Sequence, residues 1–170
     1  MCDPIEMIKA AWANKKDMSK VGIGSLSDAC SHFRSKTGGQ VKANSSLYSE
    51  MKNDKTFKDF VNEMTNILTN KVKNAKVGDK IQNAPNSNRP VKCTTMGAYK
   101  LNIEYNHKVN AGTNNIELHL YGSDLWDFQP SDDKGWFQNL TTEIIPGMIA
   151  GDGTPFDITY DFKYVIQIKK

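Results

Sequence analysis

Arginine is nearly missing from this 170-residue chain. Arg34 and Arg89 are the only two, so the 22 basic residues that outweigh 19 acidic ones and give a net charge of +3 are almost all lysine. Lysine is a point charge without the planar fork that reads a base edge or grips a phosphate bidentately. That argues against a nucleic-acid partner and leaves a weak attraction to anionic surfaces, a phospholipid membrane among them. Cysteine is scarce too: Cys2, Cys30 and Cys93 are too far apart for a C-x-x-C metal site, and an odd number closes no disulfide framework. They read as small buried or incidental residues, with one bridge between two of them as the alternative. Long apolar runs are absent. The stretch Leu140–Asp152 is broken by Glu143 and by Pro146-Gly147, far from the ~20 apolar residues of a spanning helix. Met1-Cys2-Asp3-Pro4 opens with neither the basic start nor the apolar stretch of a signal peptide. The expectation is a chain made in the cytoplasm or a piece of a longer exported protein.

What is present is enough for one domain, or two small ones, at the usual ~150 residues each. The first half reads as helices. Asp3 caps a short amphipathic helix over Pro4–Ala13, with Ile5, Ile8 and Trp12 on one face. Ser25–Ser35 places Leu26, Ala29, Cys30 and Phe33 on one side and stops at Gly38-Gly39. Asp54–Asn74 is the clearest helix, since Phe57, Phe60, Val61, Met64, Ile67, Leu68 and Val72 recur at steps of three and four. Lysines 71, 73, 76 and 80 close it as a basic end that complements the helix dipole.

Between Val77 and Pro90 the composition turns to Gly, Asp, Asn, Pro and Ser, which marks an internal boundary. Beyond Met96 the period becomes two. Leu101, Ile103, Tyr105, His107 and Val109 alternate with polar residues and, after a turn at Asn110–Asn114, so do Ile116, Leu118 and Leu120, which makes a β-hairpin with one buried face. Phe156, Ile158, Tyr160, Phe162, Tyr164, Ile166 and Ile168 all fall on even positions, giving one long bent strand or two consecutive ones. Lys134–Ile145 reads as a short helix carrying Trp136, Phe137, Leu140 and Ile144. The expected fold is therefore α+β: a helical N-terminal part over 1–80, a linker over 81–95, and an antiparallel, half-barrel-like β-sheet over 96–170.

The densest polar cluster follows the second hairpin strand, in Ser123-Asp124-Leu125-Trp126-Asp127-Phe128-Gln129-Pro130-Ser131-Asp132-Asp133-Lys134. Two carboxylates three residues apart, interleaved with rings, suit a Mg²⁺ site or acid–base work at the edge of an apolar cleft. The same composition also describes an ordinary solvated turn. His119, on the polar face between Glu117 and Tyr121, is a candidate general base, and a nuclease pairing His107 with His119 is a sharper variant. Gly22-Ile23-Gly24 is no phosphate loop, because no strand precedes it and no Gly-Lys-Ser/Thr follows.

Taken as a pattern, Asp124-x-Trp126-Asp127-x-x-Pro130-x-x-x-Lys134 resembles the D-x-Y-D-x-x-P-x-x-x-R signature of the colicin M family of bacteriocins. Its position in a C-terminal β-rich part behind a helical one is similar to that family's layout. The resemblance implies a Mg²⁺-assisted enzyme that acts in the target cell's periplasm on lipid II, cutting between the polyprenyl chain and the pyrophosphate. It implies Asp124 and Asp127 as the essential, metal-holding carboxylates, Lys134 in the place of the family's Arg, and Trp126 in the place of its Tyr. Asp133 stands where the family has His, so a general base must come from elsewhere, His119 or a carboxylate. Trp126, Phe128, Pro130 and Trp136 are the expected substrate contacts, with the rings receiving the prenyl tail. A secreted or delivered toxin domain of this kind implies a membrane surface and a cognate immunity protein as partners. The alternatives are another toxin activity such as a nuclease, or a non-catalytic β-rich module binding a membrane or a protein.

Overall fold

Side-chain caps start each of the three helices among the described residues. The computed structural model describes residues 15–126 and 153–170; the helices expected at Pro4–Ala13 and Lys134–Ile145 lie outside the described residues. Helix α1 (Leu26–Ser35) begins at Ser25, whose hydroxyl accepts from the Asp28 amide at 3.2 Å. It ends on Lys36 in the left-handed conformation, φ 60°, so the cap falls two residues before the Gly38-Gly39 pair expected to stop it. Helix α2 (Ser45–Asn53) was not expected from the pattern. Asn44 starts it, with its Oδ1 accepting from the amides of Ser46, at 2.9 Å, and Leu47. Helix α3 (Lys55–Asn74) is capped by Asp54, which accepts from the Thr56 amide at 2.7 Å, and it buries Phe57, Phe60, Met64, Leu68 and Val72.

The strands are β1 (Gln40–Lys42), β2 (Lys80–Gln82), β3 (Asn88–Cys93), β4 (Gly97–Glu104), β5 (Asn106–Lys108), β6 (Thr113–Trp126) and β7 (Phe156–Lys169). The main sheet has the order β1-β7-β6-β4-β3 and stays open rather than closing into a barrel, and β2 and β5 form a separate pair. With helices early and the large sheet late, the fold is α+β as expected. The stretch expected as a linker, 81–95, carries β3 and the end of β2. Pro90 sits in β3 without cost because β3 is an edge strand.

The chain divides into two compact units, one of Met1–Leu47 and Asp124–Ile158, the other of Tyr48–Ser123 and Thr159–Lys170. In the first, β1 lies beside the start of β7, and the Asp157 amide donates to the Gly39 carbonyl at 2.9 Å. Ile23 bridges to Ala43 in parallel. Gly22 and Gly24 exist for that approach. A side chain at Gly22 would meet the Lys42 carbonyl at 2.7 Å, and one at Gly24 the side-chain oxygen of Asn44 at 2.7 Å.

In the second unit the long apolar stripe of α3 finds its partner. Phe57 packs its ring near Phe162 and Tyr164, at 6.1 and 5.6 Å between centroids. The β3–β4 turn is held by Glu50, which accepts from the amide and hydroxyl of Thr95 at 2.7 and 2.8 Å. Strands β4 and β6 pair antiparallel with Ile103 opposite Leu120, so the expected hairpin forms in part. Its first strand breaks at Tyr105, and β5 leaves to pair with β2, setting His107 opposite Ile81. Asn83 makes the break possible: its side chain donates to the Ile103 carbonyl at 2.8 Å and accepts from the Tyr105 amide at 2.9 Å. Those groups would otherwise lose their ladder partners.

Candidate functional site

Strand β6 alternates along its length: Asn114, Ile116, Leu118 and Leu120 are buried, and the even series continues through half-buried Asp124 to buried Trp126. The odd series, His119, Tyr121, Ser123 and Leu125, faces outward or is partly exposed. A strand puts successive side chains on opposite faces. Asp124 and Trp126 therefore fall on one parity of β6 and His119 on the other.

The Asp124 end lies in the first unit. Trp126, at 5% exposure, is packed into a ring cluster: its centroid is 6.0 Å from Phe33 and 5.5 Å from Phe156. Behind Phe156 stands His32, edge-on at 4.5 Å and fully buried. His32 accepts the Met18 amide hydrogen at Nδ1, 3.0 Å, and donates from Nε2 to the Gly38 carbonyl, 3.1 Å, which fixes the Nε2–H tautomer. Trp126 was expected to receive a prenyl tail. It lies buried at the strand end. The other residues of the expected constellation, Asp127, Phe128, Pro130, Lys134 and Trp136, lie outside the described residues.

His119 organises a different place, in the second unit. Its Nε2 donates to Asp161 Oδ1 at 2.9 Å, its Nδ1 lies 3.7 Å from Glu104, and its ring stacks on Tyr121 at 4.9 Å. The Tyr121 hydroxyl donates to Glu104 at 2.6 Å, and that carboxylate pushes the phenol's pKa up by favouring its protonated form. Beside the cluster runs an open cleft of about 500 Å³, lined by Gln82, Asn83, Glu104, Asn106, Glu117 and His119. Glu117 pairs with Lys163 at 2.8 Å. Of the residues lining the cleft, Glu104 and Glu117 carry carboxylates. Glu104, Tyr121 and Asp161 were not singled out from the sequence. Their polar positions in alternating strands were visible, but the adjacency of β4, β6 and β7 that unites them was not.

His107, the other half of the nuclease pairing, donates from Nε2 to Asn114 at 2.9 Å, and Asn114 accepts from the Asn110 amide at 2.7 Å. The histidine thereby stabilises the 110–114 turn. The basic end of α3 is also internally used: Lys71 donates to the Gln82 carbonyl at 2.7 Å, and Lys170 caps the helix through the Val72 carbonyl at 2.8 Å. Cys30 and Cys93 are free and buried, and burial pushes each thiol up to about 12. Among the described residues no group of three or more His, Cys, Asp or Glu is placed to hold a metal ion, and no helix is long and apolar enough to cross a membrane.

No protein-family model matches the chain, and no curated protein matches it in sequence. Among solved structures it is similar to PaeM, a colicin M-like bacteriocin produced by Pseudomonas aeruginosa. The identity is 18% and the TM-score 0.47, with 85% of this chain and 50% of that chain covered. This chain thus spans half the length of that protein.

Proposed function

We propose that the chain is an antibacterial toxin domain that hydrolyses lipid II in the periplasm of the target cell, between the polyprenyl chain and the pyrophosphate. The observation that carries this reading is the run Asp124-x-Trp126-Asp127-x-x-Pro130-x-x-x-Lys134, which leaves the end of β6 with Asp124 on the face that Trp126 buries. Asp124 is half-buried at that strand end, and hydrolysis of a bound diphosphate ester needs a carboxylate held in place.

The donor chemistry suits Mg²⁺. A hard cation takes carboxylate oxygen and is commonly held by one or two carboxylates together with substrate phosphate, and we assign Asp124 and Asp127 to that role. When bound, the ion neutralises charge that develops on the departing pyrophosphate. Lys134 adds a cationic donor to the same oxygens. The motif's own carboxylates orient the attacking water and take its proton, because His119 faces the other side of β6. Phe128, Pro130 and Trp136 are assigned to substrate contacts, with the two rings given to the prenyl tail. Producer cells are protected by a cognate immunity protein, and the membrane that carries the substrate is the second partner.

The test is direct. Purified protein is incubated with lipid II and Mg²⁺, and the products are separated by chromatography. The expected products are free polyprenol and the water-soluble pyrophosphoryl headgroup, formed by wild type and lost in Asp127→Ala. Intact lipid II after incubation with folded wild-type protein contradicts the reading.

A further inference from the structure

Phe33 occupies an unusual place in the first unit. It presents one part of its ring 6.0 Å from Trp126, at 68° in an edge-on arrangement, and its backbone carbonyl accepts from the Thr154 amide at 3.0 Å. Its ring also lies against the backbone of Gly153. A side chain there would have its Cβ 2.0 Å from both Cδ1 and Cε1 of Phe33. Gly22, Gly38 and Gly39 have positive φ angles and Gly153 does not, so ring proximity rather than backbone conformation demands glycine at 153. One α1 side chain therefore touches the chain both where β6 ends and where the polypeptide returns towards β7.

We propose that Phe33 is the positioning residue of the Asp124 strand end. Its ring seats Trp126, which also lies 5.5 Å from Phe156, and the closure onto Gly153 keeps that ring from rotating away. Asp124 is two residues from Trp126 on the same face of β6, so a shift of the indole carries the carboxylate with it. Misplacing a reacting group by ~1 Å costs on the order of a hundredfold in rate. Packed interiors have no slack to absorb such a shift elsewhere. The inference rests on the reading of Asp124 given above, and it adds an element that the motif itself does not contain.

The experiment uses the full chain labelled with 5-fluorotryptophan, with the Trp126 resonance assigned by Trp126→Phe. In Gly153→Ala the added methyl displaces the Phe33 ring. The expected result is a shifted Trp126 fluorine resonance together with a loss of killing by exported protein on the order of tenfold or more. In Phe33→Leu, which keeps Gly153 and removes the ring that meets Trp126, the Trp126 resonance shifts and killing falls to a similar degree, while urea unfolding and the resonances of the other two tryptophans show the variant still folded. A Trp126 resonance unmoved by Gly153→Ala overturns the seating. A resonance that moves while killing is unchanged overturns the positioning role. Asp124→Ala, run in parallel, separates the two levels: if it kills like wild type, the reading of Asp124 fails, and the seating by Phe33 is judged on the resonance alone.

Discussion

His119 on β6 donates to Asp161 on the neighbouring strand β7 at 2.9 Å. On its other side the same ring stacks on Tyr121 and approaches Glu104 of β4. One imidazole thus ties the polar face of three adjacent strands. This gives His119 a structural task that needs no substrate, and the parity of β6 separates it from Asp124.

Replacing His119 by alanine therefore leaves killing by exported protein within a few-fold of wild type. Because the partners are partly or largely exposed, the stability cost is under about 1 kcal/mol, which urea unfolding reads. A loss of killing as complete as that of Asp127→Ala would return His119 to the reaction.

Asn83→Ala removes the side chain that satisfies Ile103 and Tyr105 where β4 breaks from β5. Two backbone groups lose their partners in a half-buried position, so the cost is about 1–3 kcal/mol. Amide hydrogen exchange localises it: Tyr105 and the β2–β5 pair exchange faster, while α3 is protected as before.

Asp54→Ala deletes the N-cap of α3, whose carboxylate accepts from both the amide and the hydroxyl of Thr56, at 2.7 and 2.6 Å. Loss of such a cap costs ~1 kcal/mol. Asn in its place, which still accepts, restores most of the stability in thermal unfolding.

The buried thiols give a pH dependence with a definite sign. Burial raises Cys30 and Cys93 to about 12 in the folded protein, against about 8.5 for a free thiol. The folded state holds these protons more tightly than the unfolded state does. Their contribution is fully present below about 8.5 and is lost as pH rises through about 12. Urea midpoints should fall across that window, and less so in a variant with both cysteines replaced by alanine. In Cys2→Ser, iodoacetamide at pH 8 leaves the native protein unmodified and alkylates both thiols after unfolding.

Much of this architecture could be read before any coordinates. The stripe of α3 declared itself because a 20-residue helix repeats its period often enough to be unambiguous, and β7 because seven even positions in succession are apolar. Helix α2 was missed: its nine residues show little pattern, and its start depends on Asn44. The break at Tyr105 was invisible for a related reason, since the alternation runs straight through it and only the distant Asn83 diverts the strand. At the candidate site, the sequence exposed Asp124 and Trp126 as a motif but not the face they share with the core. It offered His119 as one source of a general base, and β6 carries His119 on an odd position and Asp124 on an even one. Phe33 looked like one more apolar residue of α1, because its contact with Trp126 spans more than ninety residues of chain.

The central claim is tested most directly by survival of a bacterial host that makes this chain with and without an added export signal, alongside exported Asp127→Ala. The account predicts lysis only when wild-type protein is exported, with full survival when it stays in the cytoplasm and when Asp127 is replaced. Killing from the cytoplasm, or killing by exported and folded Asp127→Ala equal to wild type, would contradict it.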